Sequence, residues 1–298
     1  MLEPQTEIRI VVPTGDAEPD AALLDDIREY LGHEEAVNTI QLSGFLAVDS
    51  FDPHSTTLVA RTDLGVVGVA YHAGAFNMLI SHIEDPAAID ALAAHIVTHE
   101  IEIPGVMGPL EAALAFATRW AAGTTGSFRP GMAQRILATS EVRKPEGVAG
   151  TWRHMELADF PLLTTWFAAF GVEADNIPEP DAPAFGEAML DRFGSRLGPH
   201  FGGVLWIDEA GTPVSVACYK APTVNGVRIG PVYTPPEHRR RGYAGAVTAA
   251  ATQLMLDRGR EFVCLYTNAA STTANHVYEG IGYTFVADSM QYRFTNAG

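Results

Sequence analysis

Cysteine and lysine are nearly missing from this chain of 298 residues, with two of each. Cys218 and Cys264 stand singly in apolar, strand-like runs, so both read as buried reduced thiols rather than as a disulfide or a metal site. No run of about eighteen apolar residues occurs, and the opening MLEPQTEIR has no charged-then-apolar leader. A membrane span and a secretory signal therefore lack support, and the cytoplasm is the expected compartment. A G-x-S-x-G nucleophile elbow is missing too, which leaves a serine hydrolase without support. His95 and His99 lie four apart beside Glu100, but HIVTHE is not the H-E-x-x-H order and has no evident third ligand, so no metal is expected.

Positive charge is also scarce: 19 Lys+Arg face 36 Asp+Glu, a net charge of −17. Residues 1–150 hold 21 acids against 8 basic residues, and residues 151–298 hold 15 against 11. Such a surface argues against nucleic acid or an anionic membrane as partner, because phosphate binding needs clustered positive charge. It is compatible with a cationic amine substrate, although the ordinary reading is a charge that only maintains solubility. The lysine shortage beside seventeen arginines reads as codon composition.

The chain does have 47% apolar and 18% charged residues, enough to bury real cores in two domains of ordinary size. Glu141 to Trp152, polar with proline and glycine, separates two apolar regions. The expected division is residues 1–140, a linker at 141–149, and residues 150–298. After the linker, GTWRHMELA reads as a strand, Asp159 to Phe170 as a helix with Asp159 as N-cap, and Ala182 to Leu197 as a second helix. A hairpin turning near Asp208 to Thr212 comes next, then a strand from Val227 to Thr234. The first region repeats the order: strand EIRIVV, helices Ala21 to Leu31 and Glu34 to Phe45, and paired strands in TTLVARTDLGVVGVAYHAGAFNML. A helix near Pro86 to His99, a strand near Gly105, a helix from Pro109 to Trp120 and the ending GMAQRILAT complete it.

The most informative stretch is HRRRGYAGAVTAAATQLMLDRG, His238 to Gly259. It reads as a turn opening directly into a helix, whose free N–H groups and partial positive charge attract a pyrophosphate. Gly242, Ala244 and Gly245 keep side chains out of the way, while Arg239, Arg240 and Arg241 supply charge and forked donors. Upstream, Gly230-Pro231 interrupts an extended run, where a proline cannot donate to a central ladder and a bulge is expected. Downstream come a strand from Phe262 to Thr267, a polar loop, and a helix from about Thr272 to Glu279. Asn275 and Tyr278 share one face of that helix, and Gly280 and Gly282 end it.

The spacing Arg239-x-x-Gly242-x-Ala244 resembles the R/Q-x-x-G-x-G/A signature of GNAT-superfamily N-acetyltransferases, and the element order after the linker is that of a complete GNAT domain. The resemblance implies an α/β (α+β) fold of two GNAT-like domains in tandem, each a mixed, mostly antiparallel sheet flanked by helices. It implies acetyl-CoA as co-substrate, with its pyrophosphate on the turn, where Tyr243 joins Arg239 to Gly242, Ala244 and Gly245. The bulged strand corresponds at Val232, Tyr233 and Thr234, with the N–H of Val232 polarising the acetyl carbonyl. Asn268 and Asn275 are implied as further cofactor contacts, and Tyr278 as the acid that protonates the departing thiolate.

The activity implied by the resemblance is that of an N-acetyltransferase, moving an acetyl group to a primary amine, of a small molecule or a peptide, by direct attack in a ternary complex. A coenzyme A-binding sensor or interaction module without turnover is the contrasting reading. The general base is not ranked among Asp208, Glu209, His200 and His276. At the matching turn of the first region, ISHIEDPAAID has no glycine and three acids, Glu84, Asp85 and Asp90. Residues 1–140 are accordingly expected to be a degenerate, non-catalytic repeat, with an unrelated α/β accessory domain as the alternative. Self-association as a homodimer is left open.

Overall fold

Adjacent residues of the central strands point to opposite faces and are buried on both, so the strands of each unit must be covered by helices on two sides. The computed structural model describes residues 7–13, 17–47, 55–74, 76–174, 177–194 and 196–295; Met1–Thr6, on which the leader expectation rests, lie outside them. The chain divides into two compact units, Met1–Ile136 with Val286–Gly298, and Leu137–Phe285.

Unit 1 contains β1 (Arg9–Val11), α1 (Ala17–His33), α2 (Thr39–Leu46), β2 (Ser55–Thr62), β3 (Gly65–Ala73) and β4 (Met78–Ile80). It continues through α3 (Pro86–Thr98), β5 (Gly105–Pro109), α4 (Leu110–Ala122) and most of β6 (Ser127–Thr139). β1 to β4 pair antiparallel in sequence, and β4 pairs parallel with β5. Leu58 and Ala60 of β2 pack with Leu92 of α3 and Phe116 and Trp120 of α4. The residue between them, Val59, packs with Leu24, Ile27 and Leu31 of α1 and Phe45 of α2. α2 begins five residues later than expected. Asn38 stops the earlier start, its Nδ2 donating to Leu31 O (3.2 Å) and its Oδ1 accepting from the N–H of His82 (3.2 Å), a local competition with helix bonding.

Unit 2 contains β7 (Thr151–His154), α5 (Phe160–Ala174), α6 (Ala182–Gly194), β8 (Gly202–Ile207), β9 (Pro213–Lys220) and β10 (Gly226–Tyr233). Then come α7 (Tyr243–Asp257), β11 (Phe262–Asn268), α8 (Thr272–Gly280) and the start of β12 (Thr284–Thr295). β7 to β10 pair antiparallel in sequence and β10 pairs parallel with β11. Val204, Ala217, Val227 and Val263 pack under α7. Leu205, Val216 and Cys218 face α5 and α6. Cys218 and Cys264 are buried thiols outside any disulfide, and burial pushes the Cys218 thiol up to about 12.

The division of the chain differs from the sequential one at 141–149, for it falls within β6 and β12. β12 pairs with β5 over Ser289–Arg293, and Phe294 stacks on Trp120 with ring centroids 3.9 Å apart. These contacts make most of β12 part of unit 1. Among the described residues no helix is long and apolar enough to cross a membrane.

Asp159 does not cap α5 directly. It closes a 3₁₀ turn, Leu157–Asp159, its Oδ2 accepting from the N–H of Glu156 (2.9 Å) while Arg153 donates to both carboxylate oxygens (2.7 and 2.6 Å). That bidentate bond holds the carboxyl below its ordinary range. Asp159→Asn is expected to lower stability at neutral pH by about 1.5–3 kcal/mol. A depressed folded-state pKa stabilises only above the unfolded-state value near ~3.9, and the contribution is lost as pH falls through the folded-state value. Denaturant melts of both proteins at neutral and strongly acid pH check this; a gap that survived in acid would show that the ion pair is not its source.

Candidate functional site

Two independent irregularities meet at the C-terminal end of β10. The register of β10 against β9 slips between Ile229 and Val232, the bulge expected at Gly230-Pro231. β10 pairs with β11 only over Gly226–Ile229, so the two parallel strands part beyond that point. Main-chain groups of Gly230–Tyr233 on the side toward β11 thus have no strand partner, which makes that edge a place where a ligand's polar atoms can bond.

The second irregularity is the start of α7. Its N-cap is Gly242 at φ +81°, with no side-chain cap, so the first N–H groups, Tyr243, Ala244 and Gly245 among them, point out of the helix without a side-chain acceptor. Arg240 is also left-handed at φ +62°, a conformation that costs an arginine about 1–3 kcal/mol and recurs at ligand-binding turns. The side chains of Arg240 and Arg241 are exposed. Tyr243 is buried and offers the turn only its backbone.

Arg239 is differently placed. Its Nε donates to Thr234 O (2.9 Å) and its Nη2 to Glu173 Oε2 (2.6 Å), while Tyr233 Oη donates to Glu173 Oε1 (3.1 Å). Burial, reinforced by the Glu173 charge, pushes the Tyr233 phenol up to about 12. The guanidinium of Arg239 is thus committed within the protein. Glu173 was not legible as a partner, being 66 residues away from Arg239. Thr234 Oγ1 lies 2.7 Å from Ser215 Oγ.

On the β11 side, Asn268 Oδ1 accepts from the N–H of Ala270 (2.9 Å) and shapes the loop. Asn275 is 7% exposed. Its Nδ2 donates to the carbonyls of Asn268 (3.4 Å) and Ala269 (3.2 Å), but its Oδ1 is buried with no hydrogen-bond partner. A buried acceptor left this way costs free energy unless a donor arrives. Tyr278, half-buried against the α7 core, is pushed up to about 12 by burial, so its phenol keeps its proton at neutral pH.

Residues read as a linker pack onto this site. The N–H of Arg143 bonds Ile281 O (2.9 Å), its Nη2 bonds Glu279 O (2.7 Å), and Trp206 Nε1 bonds Ala149 O (2.9 Å). A Cβ on Gly242 would lie 2.8 Å from Val148 Cγ2, so the glycine is required by the turn's own packing as well as by its φ. Of the candidate bases, Asp208 Oδ1 accepts from the N–H groups of Ala210 and Thr212 (3.0 and 2.9 Å) and holds the hairpin turn. Burial, with Arg260 and Arg258 nearby, lowers the pKa of His200, which stands just before β8. His276 is exposed on α8.

The matching turn of unit 1 is closed. Asp85 caps α3, its Oδ1 accepting from the N–H of Ala87 (2.9 Å), and Pro86 removes one N–H. Glu84 and Asp85 also line a cavity of about 770 Å³ with Asp26, Glu29, Glu34 and Asp63.

Residues 217–293 match the family model described as FR47-like protein. No curated protein matches the chain. A GCN5-related N-acetyltransferase from Sphaerobacter thermophilus is 19% identical over 98% of this chain and 96% of its own, with a TM-score of 0.62. A tandem GNAT protein from the clavulanic acid biosynthesis pathway is 11% identical over 98% and 99%, with a TM-score of 0.59. A GCN5-related N-acetyltransferase from Kribbella flavida is 19% identical over 78% and 88%, with a TM-score of 0.53.

Proposed function

We propose that this chain, which has the GNAT-superfamily fold in tandem, is an acetyltransferase whose unit 2 binds acetyl-coenzyme A and passes the acetyl group to a primary amine. The observation that carries the reading is the convergence at one end of β10 of a parted strand pair and an uncapped helix N-terminus. The orphaned Asn275 Oδ1 fits a ligand with amide N–H donors, as the pantetheine arm has.

In this reading the backbone of Arg240–Gly245 and the exposed Arg240 and Arg241 hold the pyrophosphate. The Val232 N–H polarises the acetyl carbonyl, stabilising the oxyanion that forms when the amine nitrogen attacks. Collapse of the tetrahedral intermediate breaks the C–S bond, and Tyr278 protonates the departing thiolate. The amine must lose a proton to a base before or during attack. Arg239, Tyr233 and Asn268 shape the site rather than offering side chains to the cofactor.

One coenzyme A per chain is the expected stoichiometry, because in unit 1 the α3 N-terminus is filled by Asp85 and flanked by carboxylates that repel phosphate. Calorimetric titration of the purified protein counts the sites. Two per chain would make unit 1 a working cofactor site. Mass spectrometry of products from a panel of amines tests transfer, and tight binding with no acetylated product would leave a coenzyme A-binding module in its place.

A further inference from the structure

We infer that Glu173 is a positioning residue of the cofactor site, one carboxylate that ties the end of β10 and the start of the phosphate turn to α5. The inference rests on the acetyl-coenzyme A reading and deepens it. A ligand that spans the strand edge and the turn needs those two features at a fixed separation. Between them run Thr234, Pro235, Pro236, Glu237 and His238, stiffened by two prolines. Arg239 Nε closes this loop onto Thr234 O at 2.9 Å, so the orientation of one guanidinium sets the separation.

That orientation is set by Glu173. Its Oε2 takes Arg239 Nη2 at 2.6 Å and its Oε1 takes Tyr233 Oη at 3.1 Å, while the guanidinium lies 5.7 Å from the centre of the Tyr233 ring. The two charged side chains are 41% and 42% exposed, and an ion pair that open adds little to stability. Its geometric effect is larger, because each oxygen grips a different end of the same loop. With Arg239 held in the clamp, the exposed Arg240 and Arg241 remain for phosphate.

The test uses the full chain and two variants, E173A and E173Q. Acetyl-coenzyme A affinity is expected to fall about tenfold in E173A, the equivalent of about 1.4 kcal/mol, and less in E173Q, which keeps one acceptor. The KM for acetyl-coenzyme A is expected to rise while that for the amine stays within twofold, a split that a merely structural loss would not produce. The double variant E173A/R239A binds no more weakly than R239A alone, as expected of residues that act as one unit. Melting temperatures are read alongside, and E173Q, equal in shape, decides the matter if E173A is poorly folded. Affinity within twofold of wild type in both variants overturns the clamp, as does a loss confined to the KM of the amine, which would place Glu173 in the acceptor site. A wild type that binds no acetyl-coenzyme A overturns the cofactor reading itself, and the clamp with it.

Discussion

Acetyl-coenzyme A binding is expected to vanish in the Gly242→Glu variant. Two effects act together there. Gly242 is left-handed at φ +81°, and a Cβ would meet Val148 at 2.8 Å, so any side chain strains the turn by about 1–3 kcal/mol. A carboxylate adds repulsion of about 4 kcal/mol for unit charges about 4 Å apart near a protein surface, close to a thousandfold in affinity. Gly242→Ala carries the strain without the charge, and is expected to lose about tenfold or somewhat more. Calorimetry on the two variants, with circular dichroism to confirm folding, separates strain from charge. Unchanged affinity in Gly242→Glu would remove the pyrophosphate from this turn.

Tyr278→Phe is expected to lower turnover by about a hundredfold to ten-thousandfold, the usual worth of general acid catalysis, with cofactor affinity nearly unchanged. The ring packs against the α7 core and is kept by phenylalanine; only the proton donor is lost. Burial pushes the phenol up to about 12, so proton transfer to a thiolate whose conjugate acid lies near ~8.5 runs uphill, and transfer concerted with C–S cleavage is expected. Single-turnover kinetics measure the step directly, and a wild-type rate for the variant would make Tyr278 a packing residue with solvent as the acid.

The local features of the site were legible because each rests on a short-range rule. Gly230-Pro231 announced the bulge since a proline cannot donate to a ladder, and the glycine-bearing turn before a helical run announced the start of α7, where Gly242 has φ +81°. The helix expected from about Thr272 to Glu279 is α8, which carries Asn275 and Tyr278 three residues apart. What escaped depends on pairings between distant residues. Three arginines in a row looked equivalent, but Glu173 claims Arg239 and leaves the next two exposed. Asp159 looked like a cap because it precedes a helix, yet Arg153 turns its carboxylate back toward β7. The polar, proline-bearing stretch at 141–149 looked like a tether, and only its contacts with Gly242, Glu279 and Ile281 show that it belongs to unit 2.

The pairing of β12 with β5 has a consequence for how the protein is made. Unit 1 holds residues that leave the ribosome before unit 2 and others that leave after it, Val286–Gly298. The 149 residues Leu137–Phe285 are made in between, which at roughly 5–20 residues per second takes about 7–30 s. During that interval the β5 edge lacks its antiparallel neighbour and Trp120 lacks Phe294. An open strand edge of that kind recruits whatever strand is near. Deleting Ser289 to Phe294 therefore injures the half of the molecule that was synthesised first.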